Sequence, residues 1–367
     1  LQRSTALLLG MAVAAILLPF LVGQTPLIGP LPLSPVDGMT LMGALLMMTA
    51  AVVVVRWHRR RFSVLIALGV VGVMAVLTFV RFSAPDLALT QLAVEVVTIL
   101  LLLLALFFLP QEARPESRRP RRGRDLLLAL GMGTGAGVLT WGMLTRPFAS
   151  MSGFYRDNSL PGGGGANVVN VILVDFRGFD TLNEITVLAV AAIGIYGLLD
   201  KLCLEAGMVE GLPGRWIAER QILVLTLITR LLLPLALLVA IHLFLRGHNA
   251  PGGGFIAGLI AAVALILQSM ASGIAWTRQQ WRMRYHPLIA WGVLIATATG
   301  LGSWLFGRPF LTSAFGHLSL PVAGDVEWAT AMLFDFGVSL TVIGVVMLIL
   351  ATLGNLNRRC TEARGKL

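Results

Sequence analysis

Ten runs of apolar residues, each long enough to cross a lipid bilayer, restrict this chain more than any other feature. They fall at about 6–22, 38–55, 62–80, 86–109, 125–144, 181–199, 220–245, 255–276, 287–306 and 328–353. In hydrocarbon every backbone N–H and C=O must be paired inside the protein, so only helices and closed barrels span. Runs of this length exceed a barrel strand and fit helices. The expected fold is an all-α polytopic integral membrane protein of about ten transmembrane helices. Composition agrees: of 367 residues, 57% are hydrophobic and 13% charged, and the mean hydropathy is +0.85.

The net charge of +10 raises nucleic acid as a partner. Its distribution argues otherwise. Alternate connections hold 21 of the 28 basic residues, the intervening ones hold 6, and Arg230 lies within a run. The rich set includes Arg56 to Arg61, the run Arg114 to Arg124, and the tail from Arg358. This is the asymmetry of a cytoplasmic face, so both termini are expected in the cytoplasm. The basic excess is an orientation signal against lipid headgroups, and no nucleic-acid partner is expected.

Three segments break the hairpin rhythm. Residues 110–124 form an arginine- and proline-rich linker, read as solvated and cytoplasmic. Residues 145–180 form a long outer segment with a flexible turn from Pro161 to Gly165. Within it, the β-branched stretch Asn167 to Phe176 leaves a short strand and an interfacial helix both open. The third segment, Asp200 to Glu219, carries mixed charge and two glycines and marks a boundary between modules. The chain opens Leu-Gln-Arg without methionine, and its first apolar run lacks a cleavage pattern. We read that run as a helix and expect residues upstream. Cys203 and Cys360 are far apart with no histidine at metal spacing, so neither a disulfide framework nor a metal site is expected.

Charged residues inside the runs are the functional candidates. A helix from Asp86 to Leu109 would be ~36 Å long at ~1.5 Å per residue, with Glu95 near its middle. A charge at that depth costs ~3 kcal/mol on insertion scales and normally faces protein or water. Gln91 and Thr98 share its face at four and three residues' separation, making one polar stripe. Glu95 is either a structural carboxylate or a protonatable relay, and its depth favours the relay. Asp86, on the opposite side, is placed at the helix mouth as an N-terminal cap after Pro85.

Arg230 lies about two turns into the seventh run and cannot lose its proton, so it needs an anion, water or carbonyls. Asp335 is the acid within the tenth run, and the two are expected to face each other. His242, three turns beyond Arg230, and His248, just past that helix, are candidates for proton transfer. Asp175, Arg177, Asp180 and Glu184 surround the outer entry of the sixth run. They serve either as capping and interface charges, with Asp180 as the cap, or as an ion vestibule.

The stretch Gly247-His248-Asn249-Ala250-Pro251-Gly252-Gly253-Gly254 imitates a phosphate loop. It lacks the lysine and the preceding strand and falls on the non-cytoplasmic side, so nucleotide binding is not expected. A tight glycine turn bringing two helices together is the physical reading. There is no Ser–His–Asp elbow, haem motif or redox cysteine pair, which leaves an enzyme little to stand on.

These motifs carry a family resemblance. Arg81 through Leu92 with Glu95 is similar to part of the large A subunit of Mrp-type multisubunit sodium/proton antiporters. That part is itself related to a small membrane subunit of energy-converting hydrogenases. Asn170 through Thr186 resembles the A subunit's final hairpin. Arg246 through Phe255 is similar to the signature of the B subunit, and Leu333-Phe334-Asp335-Phe336-Gly337-Val338 to its last helix. The matches cover nearly everything after residue 36. The resemblance implies an A-like module over 1–205 joined to a B-like module over 219–367.

It further implies a bacterial inner-membrane, multi-pass subunit of a complex that exchanges sodium ions for protons. No cofactor is implied, and the partners are other membrane subunits, including an antiporter-like module upstream or in another chain. Two other readings stay open. One is a membrane-arm subunit of a hydrogenase-like or respiratory complex, coupling redox chemistry to ion pumping. The other is a scaffold that holds pumping subunits together.

Overall fold

The computed structural model describes residues 2–23, 28–32, 34–107, 119–200, 223–273, 284–320 and 324–364. The seam at 201–219 and most of the 110–124 linker lie outside the described residues. Helices run α1 Gln2–Leu21, α2 Gly38–Arg56, α3 Arg61–Arg81, α4 Pro85–Phe107 and α5 Arg119–Leu144. Next come α6 Ser152–Gly163 and α7 Val168–Val171, then a π-helical turn Ile172–Phe176, then α8 Gly178–Asp200 and α9 Leu223–Arg246. The chain continues with α10 Gly254–Ser272, α11 Tyr285–Leu305, strands β1 Phe315–Leu320 and β2 Gly324–Ala329, and α12 Thr330–Arg364.

Nine of the expected spans are recovered among the described residues as helices long and apolar enough to cross a membrane. The first, α1, has a shorter apolar stretch, Ser4–Phe20. The fold is helical as expected, with one addition: β1 and β2 pair as an antiparallel hairpin, with Phe315 opposite Ala329.

The chain divides into two compact units. The first, residues 1–42 and 113–151, is built on α1 against α5. Gly131 and Gly135, one turn apart on α5, give room to Val13 and Ile16. A Cβ at these glycines would lie 3.0 Å and 3.1 Å from those side chains. The Gly29 N–H donates to Thr145 Oγ1 at 2.9 Å, which fastens the loop after α1 to the end of α5.

The second unit, residues 43–112 and 152–367, has α10 and α12 at its centre: 72% and 67% of their spans are buried, against 22% or less elsewhere. Without a hydrophobic drive between helices in lipid, close approach depends on small residues. The sequence supplies them. A Cβ at Gly337 of α12 would sit 2.6 Å from the Gly292 carbonyl of α11, and one at Gly258 of α10 would sit 3.0 Å from the Ser339 carbonyl. Phe334, Val338 and Ile266 fill the interior, joined by Ile185 of α8 and by Ala93 and Val97 of α4.

Residues 152–163 and 168–176 are helical, and a short non-helical turn at 164–167 joins them. Of the expected turn from Pro161 to Gly165 only Gly164 and Gly165 lie outside a helix, and the stretch from Asn167 to Phe176 forms helix rather than strand. Pro161 to Gly163 close α6, and Gly164 stops it at φ +70°. A Cβ there would strike the Phe315 ring of the hairpin. Asn167 caps α7, its side chain accepting from the Asn170 N–H at 3.4 Å. The segment then widens into the π-helical turn, a feature found at many functional sites.

Candidate functional site

In the second unit, the α3–α4 link, the α6–α8 segment, the α9–α10 loop and the hairpin region meet at one end of the bundle. The glycine loop lies at the centre. Its tightness is real: a Cβ at Gly247 would lie 2.3 Å from the Gly253 nitrogen, and Gly253 has φ +109°. Two N–H groups at the mouth of α10 have no helical acceptor. Carboxylates from other helices take both. The Gly252 N–H donates to Asp86 Oδ1 at 2.9 Å, and the Gly254 N–H donates to Asp335 Oδ2 at 2.9 Å.

Two asparagines complete the knot. Asn167 Nδ2 donates to Asp86 Oδ1 at 3.2 Å and to the Gly247 and Ala250 carbonyls at 3.0 Å each. The Asn170 side chain hydrogen-bonds Asp335. Asp86 therefore does not cap its own helix as expected. It lies inside the first turn of α4, which starts at Pro85, and its carboxylate is given to the distant loop. Neither asparagine stood out in the sequence, where both sit in an apolar, β-branched stretch.

His248 is buried within the loop, its Nε2 3.0 Å from the Gly163 carbonyl. A carbonyl only accepts, so Nε2 carries the hydrogen of this bond. Asp175 is turned inward from the π-helical turn and accepts from the Ser313 hydroxyl and N–H. Burial pushes the Asp175 carboxyl above the usual carboxylate range; the two Ser313 bonds and the nearby His248 oppose that shift.

The rest of the outer cluster points away. Arg177 pairs with Asp180 at 2.6 Å on an exposed surface, and Glu184 is exposed one turn on. Asp180 lies inside the first turn of α8, two residues past its start, so it is not the N-cap. It still favours the helix dipole from there.

Glu95 stands apart, nine residues or ~14 Å along α4 from Asp86. Its carboxylate lies against Gly72 of α3, where an added Cβ would fall 2.1 Å from Glu95 Cδ. One turn further, Ile99 covers Gly69 in the same seam. Gln91 is half-buried, whereas Thr98 is exposed, so only part of the polar stripe is enclosed.

The structure overturns the expected pairing of Arg230 with Asp335. Asp335 is level with the glycine loop, where the Gly253 N–H reaches back to the Leu243 carbonyl of α9. Arg230 lies thirteen residues from Leu243, or ~20 Å along the helix, beyond side-chain reach. It is exposed, as is His242. The knot thus unites Asp86, His248 and Asp335, with Asp175 close by; Glu95, Arg230 and His242 lie elsewhere.

The domain described as related to the MnhB subunit of Na+/H+ antiporters matches residues 224–348. The D-type component of MBH matches 46–111 and its E-type component matches 120–210. The Na+/H+ antiporter B subunit of Bacillus subtilis (strain 168) is 43% identical over 132 residues, covering 36% of this chain and 92% of that relative. The chain belongs to the Mrp-type antiporter subunit family.

A probable K+/H+ antiporter A/B subunit of Rhizobium meliloti (strain 1021) is 39% identical over all of this chain, which covers 39% of that relative. The Mrp complex from Dietzia sp. DQ12-45-1b superposes with a TM-score of 0.83 at 31% identity, over 96% of this chain and 38% of the matched one. The chain thus spans about two fifths of its A/B-type relative and nearly all of a B-type one. The knot's partners fall in different matched segments: Asp86 in the D-type one, Asn167 in the E-type one, and Gly252 and Asp335 in the MnhB-related one.

Proposed function

We propose that this chain is a membrane subunit of a multisubunit monovalent cation/proton antiporter in the bacterial inner membrane. It joins an A-type carboxy-terminal module, 1–205, to a B-type module, 219–367, and acts as a transporter component rather than an enzyme. Other membrane subunits, including an antiporter-like module, are its partners, and sodium or potassium ions and protons are its cargo. The likeness to the Mrp complex over 96% of the chain carries this reading.

The geometry gives its parts distinct tasks. The Asp86–Asn167–Gly252 knot holds the two modules in register at the end we assign to the outside. Glu95, held at mid-span against Gly72, is the group that exchanges a proton or meets the cation. Both termini are assigned to the cytoplasm by the basic-residue asymmetry. A cysteine at exposed Ser152 or Asn249 then reacts with an impermeant reagent added outside, and one at exposed His58 does not. The functional test is cation-dependent collapse of a pH gradient in vesicles carrying the whole complex, with and without this chain. Collapse that is unchanged without the chain overturns the proposal.

A further inference from the structure

Beside the knot, α11, α12, the π-helical turn and the link before the hairpin line a small, partly open cavity with room for a single water-sized guest. Its polar lining is made of hydroxyl residues: Thr299, Ser303, Thr312, Ser313 and Thr330. Most of the hydroxyl hydrogens are already committed. Thr299 donates to the Ile295 carbonyl at 2.8 Å, Ser303 donates to the Thr312 carbonyl at 3.0 Å, and Ser313 donates to Asp175. What these oxygens have left to offer is lone pairs.

Two further observations concern the same cavity. Asp175 stands behind Ser313 and supplies a formal negative charge one hydroxyl away. Leu311, a lining residue, is held at φ +64° although it is buried and bulky. Backbone strain of this kind persists where the surroundings impose it, and it gathers at ligand clamps. Here it turns Thr312 and Ser313 toward α11 and the π-helical turn. Lone pairs on Thr299, Ser303 and Ser313, whose hydrogens are given elsewhere, a nearby carboxylate and irregular backbone at a helix end together suit a hard cation.

We propose that this cavity binds a dehydrated monovalent cation, sodium or potassium, through the oxygens of Thr299, Ser303 and Ser313, with Asp175 balancing its charge. The site lies at the outer end of the B-type module, away from Glu95. It rests on the antiporter reading and deepens it by giving the cargo a station at the membrane surface.

The test uses the complete purified complex. The temperature at which it comes apart is compared in NaCl, KCl and choline chloride at equal ionic strength, because an ion that binds only the folded state raises it. Sodium or potassium should raise it by several degrees relative to choline, and the preferred ion identifies the cargo. Thr299→Val or Ser313→Ala, each checked for assembly by co-purification, should reduce this cation-dependent rise. The two substitutions sit on different elements, so one assembling variant suffices. Equal temperatures in all three salts, or a rise that is undiminished in an assembled variant, would overturn the site. Antiport is measured in parallel: its absence with the cation-dependent rise intact refutes the antiporter reading and leaves the site standing.

Discussion

Asp86, in the first turn of α4, accepts a hydrogen bond from the Gly252 N–H at 2.9 Å across 166 residues of chain. Both groups are withdrawn from solvent, and Asn167 bonds the same oxygen. The contact ties the helix that carries Glu95 to the loop that opens α10. Through it, α4, Asn167 and the α9–α10 loop share one hydrogen-bond network.

Asp86→Ala should therefore weaken the assembled complex. Gly252 would keep a buried N–H with no acceptor, at a cost of about 1–3 kcal/mol. Asn167 retains the Gly247 and Ala250 carbonyls, so the loss is confined to one donor. Asp86→Asn keeps an acceptor oxygen and should fall between Asp86→Ala and the parent. The temperature at which the purified complex comes apart measures this ordering. Equal behaviour of Asp86→Ala and parent would contradict the role given to the knot.

Two glycine substitutions should separate structure from transport. At Gly254, a Cβ would lie 2.0 Å from the Asp335 carbonyl, and backbone cannot move aside locally. Gly254→Ala should then cost about 1–3 kcal/mol or more and reduce assembly. At Gly72, the obstacle is the far end of the flexible Glu95 side chain. Gly72→Ala should assemble nearly normally while displacing that carboxylate and shifting the pH profile of antiport. Co-purification yield and the pH profile read the two effects separately.

The glycine turn was legible because glycine alone tolerates both the positive φ and the close approach. The spans were legible from hydropathy. The task of Asp86 was not, because a cap reading consults sequence neighbours and its partner lies 166 residues away. Hydropathy edges put Arg230 and Asp335 at similar depth, but α12 begins at Thr330, which sets Asp335 level with the loop. The hydroxyl cavity had no sequence signal, since serine and threonine in helices bond their own preceding turn whether or not they face a ligand. The helix Ser152–Gly163 is polar and contains Pro161, so its periodicity was hidden.

Asp175 predicts a pH dependence. Burial raises its folded-state affinity for protons above the ordinary carboxylate range. The folded state therefore holds this proton more tightly than the unfolded one. The stabilisation is complete below the ordinary carboxylate pKa and is lost as pH rises through the raised folded value. In choline buffer, with no small cation to offset the charge, complex stability should decline across that window. Asp175→Asn should flatten the decline. An unchanged slope in the variant would assign the pH dependence to another group.

The most direct test of Glu95 as the exchanging group is antiport by complexes carrying Glu95→Gln and Glu95→Asp, measured as cation-dependent pH-gradient collapse in vesicles with assembly verified. Glutamine keeps the size and hydrogen-bonding capacity but cannot ionise; aspartate keeps the acid about one methylene shorter. Glu95→Gln should assemble against Gly72 and abolish exchange, while Glu95→Asp should retain part of it with a shifted pH profile. A Glu95→Gln complex that assembles and exchanges ions like the parent would contradict that role and make Glu95 a structural residue.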